Sequence, residues 1–132
     1  MKGSFLESTL IRPGRYLSCE KLLLVGMGRY HECGEGRIRQ LGETLMRTLS
    51  GLKVMDISLS FPIPDATQSP VVFAENLTKG LLLEGEKEEI RHCTEQMNVA
   101  ISCVFEQIDE ALLGIQKAKV ELKKHFNVIV LE

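Results

Sequence analysis

Lys21-Leu22-Leu23-Leu24-Val25-Gly26-Met27-Gly28 is the stretch on which the fold turns. An unbroken apolar run closed by a Gly-hydrophobic-Gly turn reads as a strand buried on both faces of a parallel sheet, where no polar face interrupts the hydrophobic pattern. It predicts the central strand. Downstream, Gly34 and Gly36 precede Ile38, Leu41, Leu45, Met46 and Leu49 at helical spacing, and Gly51 reads as the C-terminal stop. From Val54 the period falls to two, with Met55, Ile57, Leu59 and Phe61 on one side and Asp56, Ser58 and Ser60 on the other. That is a second strand.

Ser69-Pro70 then supplies an N-cap followed by a proline in the first helical turn. The helix it starts presents Val72, Phe73, Leu77 and Leu81 inward and ends between Gly80 and Gly85, before the charged run Glu86-Lys87-Glu88-Glu89, which reads as a solvated face or loop. Residues 99–105 are β-rich. Ile108, Ala111, Leu112, Ile115, Ala118 and Leu122 mark a last long helix, Val128-Ile129-Val130-Leu131 a closing strand, and residues 5–11 an additional strand near the start. Strands and helices alternating at this spacing predict an α/β domain with a mostly parallel mixed sheet and helices on both faces. No fixed-period repeat or low-complexity segment divides residues 1–132, so a single domain is expected.

Composition narrows the class. A chain of 132 residues with 44% hydrophobic and 26% charged residues can bury its own core and matches neither disordered, collagen-like nor disulfide-scaffold usage. Sixteen Lys and Arg against eighteen Asp and Glu leave a net charge of -2, which gives no global field to gather nucleic acid or an anionic membrane. The apolar runs 22–25 and 81–83 are far shorter than the roughly 20 residues of a membrane-spanning helix, and Glu7 interrupts the short apolar start where a signal peptide would need continuity. A cytoplasmic protein is expected. Cys19, Cys33, Cys93 and Cys103 follow no disulfide framework and read as free thiols that pack.

The strand and turn at 21–28, followed by the helix that contains Arg37-Ile38-Arg39, resemble the strand, Gly-hydrophobic-Gly turn and helix of the N-terminal domain of the leucine aminopeptidase family. Phe73-Ala74-Glu75-Asn76-Leu77-Thr78-Lys79-Gly80-Leu81-Leu82-Leu83 is similar to that domain's helix ending in a Gly-Leu-Leu-Leu-like phrase. The resemblance runs from about 21 to 85 and continues more faintly over 99–126. It implies a macro-domain-like, three-layer α/β fold that serves oligomer assembly and regulation, with the paired metals and catalytic residues of the family carried by a separate C-terminal domain. No phrase like Asn-Thr-Asp-Ala-Glu-Gly-Arg occurs, so no catalytic or metal-binding residue can be carried over onto this sequence. The chain departs from the family at its start, where further strand and helix are usual, and at 84–91, where an aromatic, basic segment is usual.

Four glycines are the candidate ligand site. Gly26, Gly28, Gly34 and Gly36 would let backbone N–H groups approach a phosphate beside a helix start. The spacing fails the Gly-x-Gly-x-x-Gly rule, with His31 where the third glycine belongs, so tight turns after a strand explain them more simply. His31 and Cys33, with His92 and Cys93, lack zinc-ligand spacing, and neighbours on a helix point about 100° apart. Cys33 as a nucleophile with His31 as base has no orienting acid, and Glu32 and Glu35 disfavour its thiolate. Glu86, Glu88, Glu89 and Glu110 are interleaved with Lys87 and Arg91 as on a solvated surface, and Lys117, Lys119, Lys123 and Lys124 complement the dipole of the last helix.

The expected function is a non-catalytic assembly or regulatory module without cofactor or metal, joining copies of itself or another protein. A small-ligand binder, taking a nucleotide or ADP-ribose-like molecule at the glycine turns, is the alternative. A homo-oligomer is expected because a sheet shortened relative to the family would leave strand 54–61 or segment 5–11 as an uncovered edge.

Overall fold

The structure is a computed structural model that describes residues 4–16, 21–28, 34–60, 69–87, 89, 91, 97–102, 105–122 and 128–131. The chain divides into two compact units, Met1–Cys33 and Gly34–Glu132.

The first unit is a hairpin. Strand β1 (Ser8–Ile11) pairs antiparallel with β2 (Leu22–Val25), Ser8 opposite Val25 and Ile11 opposite Leu22. Two backbone bonds extend the ladder: the Gly26 N–H donates to the Glu7 carbonyl at 2.7 Å, and the Leu6 N–H to the Gly26 carbonyl at 2.8 Å. This corrects the reading of 22–25 as the central strand of a parallel sheet. The ten residues between β1 and β2 carry Pro13 and, among those described, a 3-10 turn at Gly14–Tyr16, with Gly14 at φ +65°. Such a link reverses the chain and is too short for a parallel crossover through a helix. Nor is β2 buried on both faces, since Leu24 is 40% exposed and Leu22, Leu23 and Val25 are half-buried.

The second unit carries helix α1 (Glu35–Gly51), strand β3 (Asp56–Ser60), helix α2 (Pro70–Gly85), strand β4 (Asn98–Ser102), a 3-10 turn (Phe105–Gln107), helix α3 (Ile108–Leu122) and strand β5 (Val128–Leu131). Its sheet is parallel in the order β3-β4-β5, Leu59 aligned with Ile101 and Ile101 with Val130. Both crossovers advance the same way along the sheet, so right-handed connections put α2 and α3 on one face. Burial agrees, because Leu59, Val99 and Ile101 are buried while Ser58 and Ser60, pointing the other way, are exposed. Helices α2 and α3 therefore share one face of this sheet.

α2 sets the core. Its N-terminus is the expected one, with the Ser69 hydroxyl accepting from the Val71 N–H at 3.2 Å and Pro70 opening the helix. Phe73, Ala74, Leu77, Leu81 and Leu82 are all buried, because α2 lies between α1 on one side and α3 on the other. Gly80 does not end this helix but lets α1 come close. A Cβ on Gly80 would strike the Arg39 carbonyl oxygen and stand 3.0 Å from the Glu43 nitrogen. Facing it, a Cβ on Gly42 would strike the Leu77 carbonyl oxygen and stand 3.0 Å from the Leu81 nitrogen. On the α3 side Gly114 does the same against the Val71 carbonyl and the Glu75 nitrogen. Ile38, Leu41, Met46 and Leu49 of α1 and Ala111, Ile115 and Ala118 of α3 complete this core as expected, whereas Leu45 is half-buried and Leu112 exposed.

α1 ends differently from its sequence signal. Gly51 is its last residue, and the left-handed position falls at Lys53, φ +56°, whose N–H donates to the Ser50 carbonyl. β3 begins at Asp56, leaving Met55 exposed. Phe61 lies outside the described residues.

Candidate functional site

The four candidate glycines fall in two places. Gly26 and Gly28 close β2 in the first unit, and Gly28 adopts φ +72°, a conformation that favours glycine. Gly26 is buried and both its backbone groups are engaged in the hairpin ladder. Gly34 and Gly36 belong to the second unit, at the start of α1. Gly34 is the N-cap residue with φ -80° and ψ -179°, and its carbonyl accepts from the Ile38 N–H at 3.1 Å. Gly34 has no side chain with which to cap this end, and a Cβ on Gly34 or Gly36 would meet nothing within 4 Å. Glu35 supplies the first turn's negative charge against the positive end of the helix dipole. Cys19, His31, Cys33, His92, Cys93 and Cys103 lie outside the described residues, as do Glu88, Lys123 and Lys124.

The geometry that sequence reasoning missed is ionic and lies on both flanks of α2. Glu84, 4% exposed, takes a hydrogen bond from Arg47 Nε of α1 at 2.9 Å and a second ion pair from Lys87 Nζ at 2.9 Å. Burial works against its charge, yet the bonds from Lys87 and Arg47 outweigh that and hold its carboxyl below the usual carboxylate range. The bond to Glu84 in turn raises the Arg47 guanidinium. On the opposite flank Lys79, almost buried, places Nζ 2.6 Å from Glu121 Oε2 of α3 and 3.4 Å from Glu75 Oε2. The hydrogen bond to Glu121 exceeds the opposing cost of burial, and with Glu75 it raises the ammonium above its ordinary value. Both clusters tie α2 to its neighbours. The signal was present in the sequence: a helix apolar on almost every side is buried, so any charge within it must find a partner.

The third feature is the outer side of α3, where an open groove is lined by Glu75, Leu113, Gln116, Lys117, Val120 and Glu121. Leu113 is 46% and Val120 77% exposed.

Residues 1–89 match the family model of the cytosol aminopeptidase family, N-terminal domain. The chain belongs to that family. The matched part takes in the β1-β2 hairpin, α1, β3 and α2, so Gly26, Gly28, Gly34, Gly36, Arg47, Lys79 and Glu84 all lie inside the aminopeptidase N-terminal domain. The outer side of α3 lies beyond it. No curated protein and no solved structure matches the chain. Among the described residues, no helix is long and apolar enough to cross a membrane.

Proposed function

We propose that this member of the cytosol aminopeptidase family is a non-catalytic assembly or regulatory module of the cytoplasm, with the macro-domain-like arrangement that its resemblance implies, joining copies of itself or another protein. The match to the N-terminal rather than the peptide-cleaving part of the family carries this reading. The helical layer supports it, because glycine contacts and two ion clusters hold α1, α2 and α3 as a stiff platform on which a surface can be presented without a large ordering cost. Light scattering on the full chain across micromolar concentrations tests the assembly half, with more than one chain per particle expected. Leucyl-peptide turnover with added zinc, manganese or cobalt tests the other half. None is expected, and turnover surviving re-purification would overturn it.

The alternative is a small-ligand module that takes a nucleotide or ADP-ribose-like molecule at Gly34 and Gly36, within the second unit. It is favoured by the uncapped start of α1, where the open space at Gly34 and Gly36 leaves room for an anion at helix N–H groups. A nucleotide or ADP-ribose that raises the melting temperature of the purified chain supports this alternative; no shift at millimolar ligand excludes it.

A further inference from the structure

We propose that the outer face of α3 docks a second copy of this chain, the two α3 helices running antiparallel about a two-fold axis beside Leu113; this rests on the assembly reading above and names its surface. Leu113 and Val120 are seven residues apart and so share one face. That face lies about 180° round the helix from Ala111, Ile115 and Ala118, which are buried in the unit's own core. Val120 therefore adds little to the packing of α3 within its own chain, and Leu113 leaves nearly half of its surface uncovered. Valine is also a poorer helix former than alanine or lysine, so a Val that is 77% exposed in the helix costs local stability for no internal return.

Charge chooses the occupant. Glu110 and Lys117 are both exposed, are also seven residues apart, and share the flank next to the Leu113–Val120 line. A second α3 related by a two-fold axis meets this flank with its own, reversed. Glu110 of each copy then lies beside Lys117 of the other, giving the opposite-charge pair twice, and the helix dipoles run in opposition. A parallel partner would instead bring the acidic first turns, each with Asp109 and Glu110, to the same end. Glu121 does not upset the match, since its carboxylate is held by Lys79. A contact of this size falls at the low end of stable dimers, about 1,000 Å² in total, so a dissociation constant in the micromolar range is expected.

The test is light scattering and analytical ultracentrifugation on the full chain, with circular dichroism as a check on folding. Wild type is expected as a two-chain particle, Val120→Glu should weaken it at least tenfold without changing the dichroism spectrum, and Glu110→Lys should weaken it similarly. The double variant Glu110→Lys/Lys117→Glu restores both pairs with reversed sign and should regain the wild-type mass. A Val120→Glu chain that assembles like wild type, or a double variant no better than Glu110→Lys, overturns the α3 interface while the assembly reading stands. One chain per particle for wild type overturns both.

Discussion

Gly80→Ala should destabilise the protein, although on helix propensity alone it should do the reverse. Alanine is favoured over glycine inside a helix by about 1 kcal/mol, and the gain is expected wherever the new methyl has room. At Gly80 it has none, because the Cβ would strike the Arg39 carbonyl oxygen and approach the Glu43 nitrogen to 3.0 Å, both of them backbone atoms of α1. Neither can rotate away. Helices α1 and α2 must separate by roughly 1 Å to restore van der Waals distance, which loosens the packing of Leu77 and Leu81. Overpacking of this kind costs about 1–3 kcal/mol, so after the propensity gain the variant should lose up to about 2 kcal/mol. Gly51→Ala is the control within the same unit, since Gly51 is helical and its Cβ would meet nothing within 4 Å. It should gain about 0.5–1 kcal/mol. For a chain of this size each kcal/mol moves the melting temperature by about 3–5 °C. Thermal and urea unfolding should therefore shift the two variants in opposite directions. If Gly80→Ala melts at or above wild type, the close crossing of α1 and α2 is wrong.

Three further outcomes follow from buried or strained positions. Glu84→Gln should cost about 1–2 kcal/mol at neutral pH, below the usual penalty for breaking a buried pair because the released Arg47 and Lys87 are exposed enough to be rehydrated. Since the folded protein holds the Glu84 carboxyl below its ordinary 4.5, that contribution is complete above this value and is lost as pH falls through the folded one. The gap between wild type and variant should close on acidification, and a gap independent of pH from 7 to 3 would remove Glu84's charge from the account. Thr78→Val should stabilise by about 1 kcal/mol, because the Thr78 hydroxyl is buried without a hydrogen-bond partner among the described residues and valine keeps its shape; urea unfolding decides it. Lys53→Gly should raise the melting temperature slightly, relieving a left-handed residue at about 1 kcal/mol before the entropy of the added glycine is subtracted.

The sequence revealed the helices more fully than the sheet. Ser69-Pro70 declared the start of α2 because capping is a local matter of one hydroxyl and one N–H. The alternation from Asp56 to Ser60 declared β3 because its two faces meet different surroundings. The run Leu22–Val25 declared a strand but not its partner, since a continuous apolar stretch carries no information on which neighbour will supply its hydrogen bonds. Gly80 was legible as a special position and ambiguous in meaning, for a glycine near a helix end signals a stop and a glycine between helices signals contact. The Arg47–Glu84 bond joins residues 37 apart and needs the packed helix pair before it exists, so only the oddity of a charge among leucines pointed to it. For the candidate glycines, residue type located the left-handed position at Gly28 and the helix start at Gly34.

The two ion clusters on α2 also bear on which helix goes where. α1 and α3 both offer a small-residue notch to α2, and by hydrophobic character alone their places could be exchanged. Exchange would set Arg47 beside Lys79 and Glu121 beside Glu84, turning two attractive contacts into two repulsive ones, each between one buried and one solvent-exposed group. The buried charges thus act as an address on each side of the middle helix. Docking the helices in the exchanged order forfeits both attractive contacts, so the native order is the favoured one.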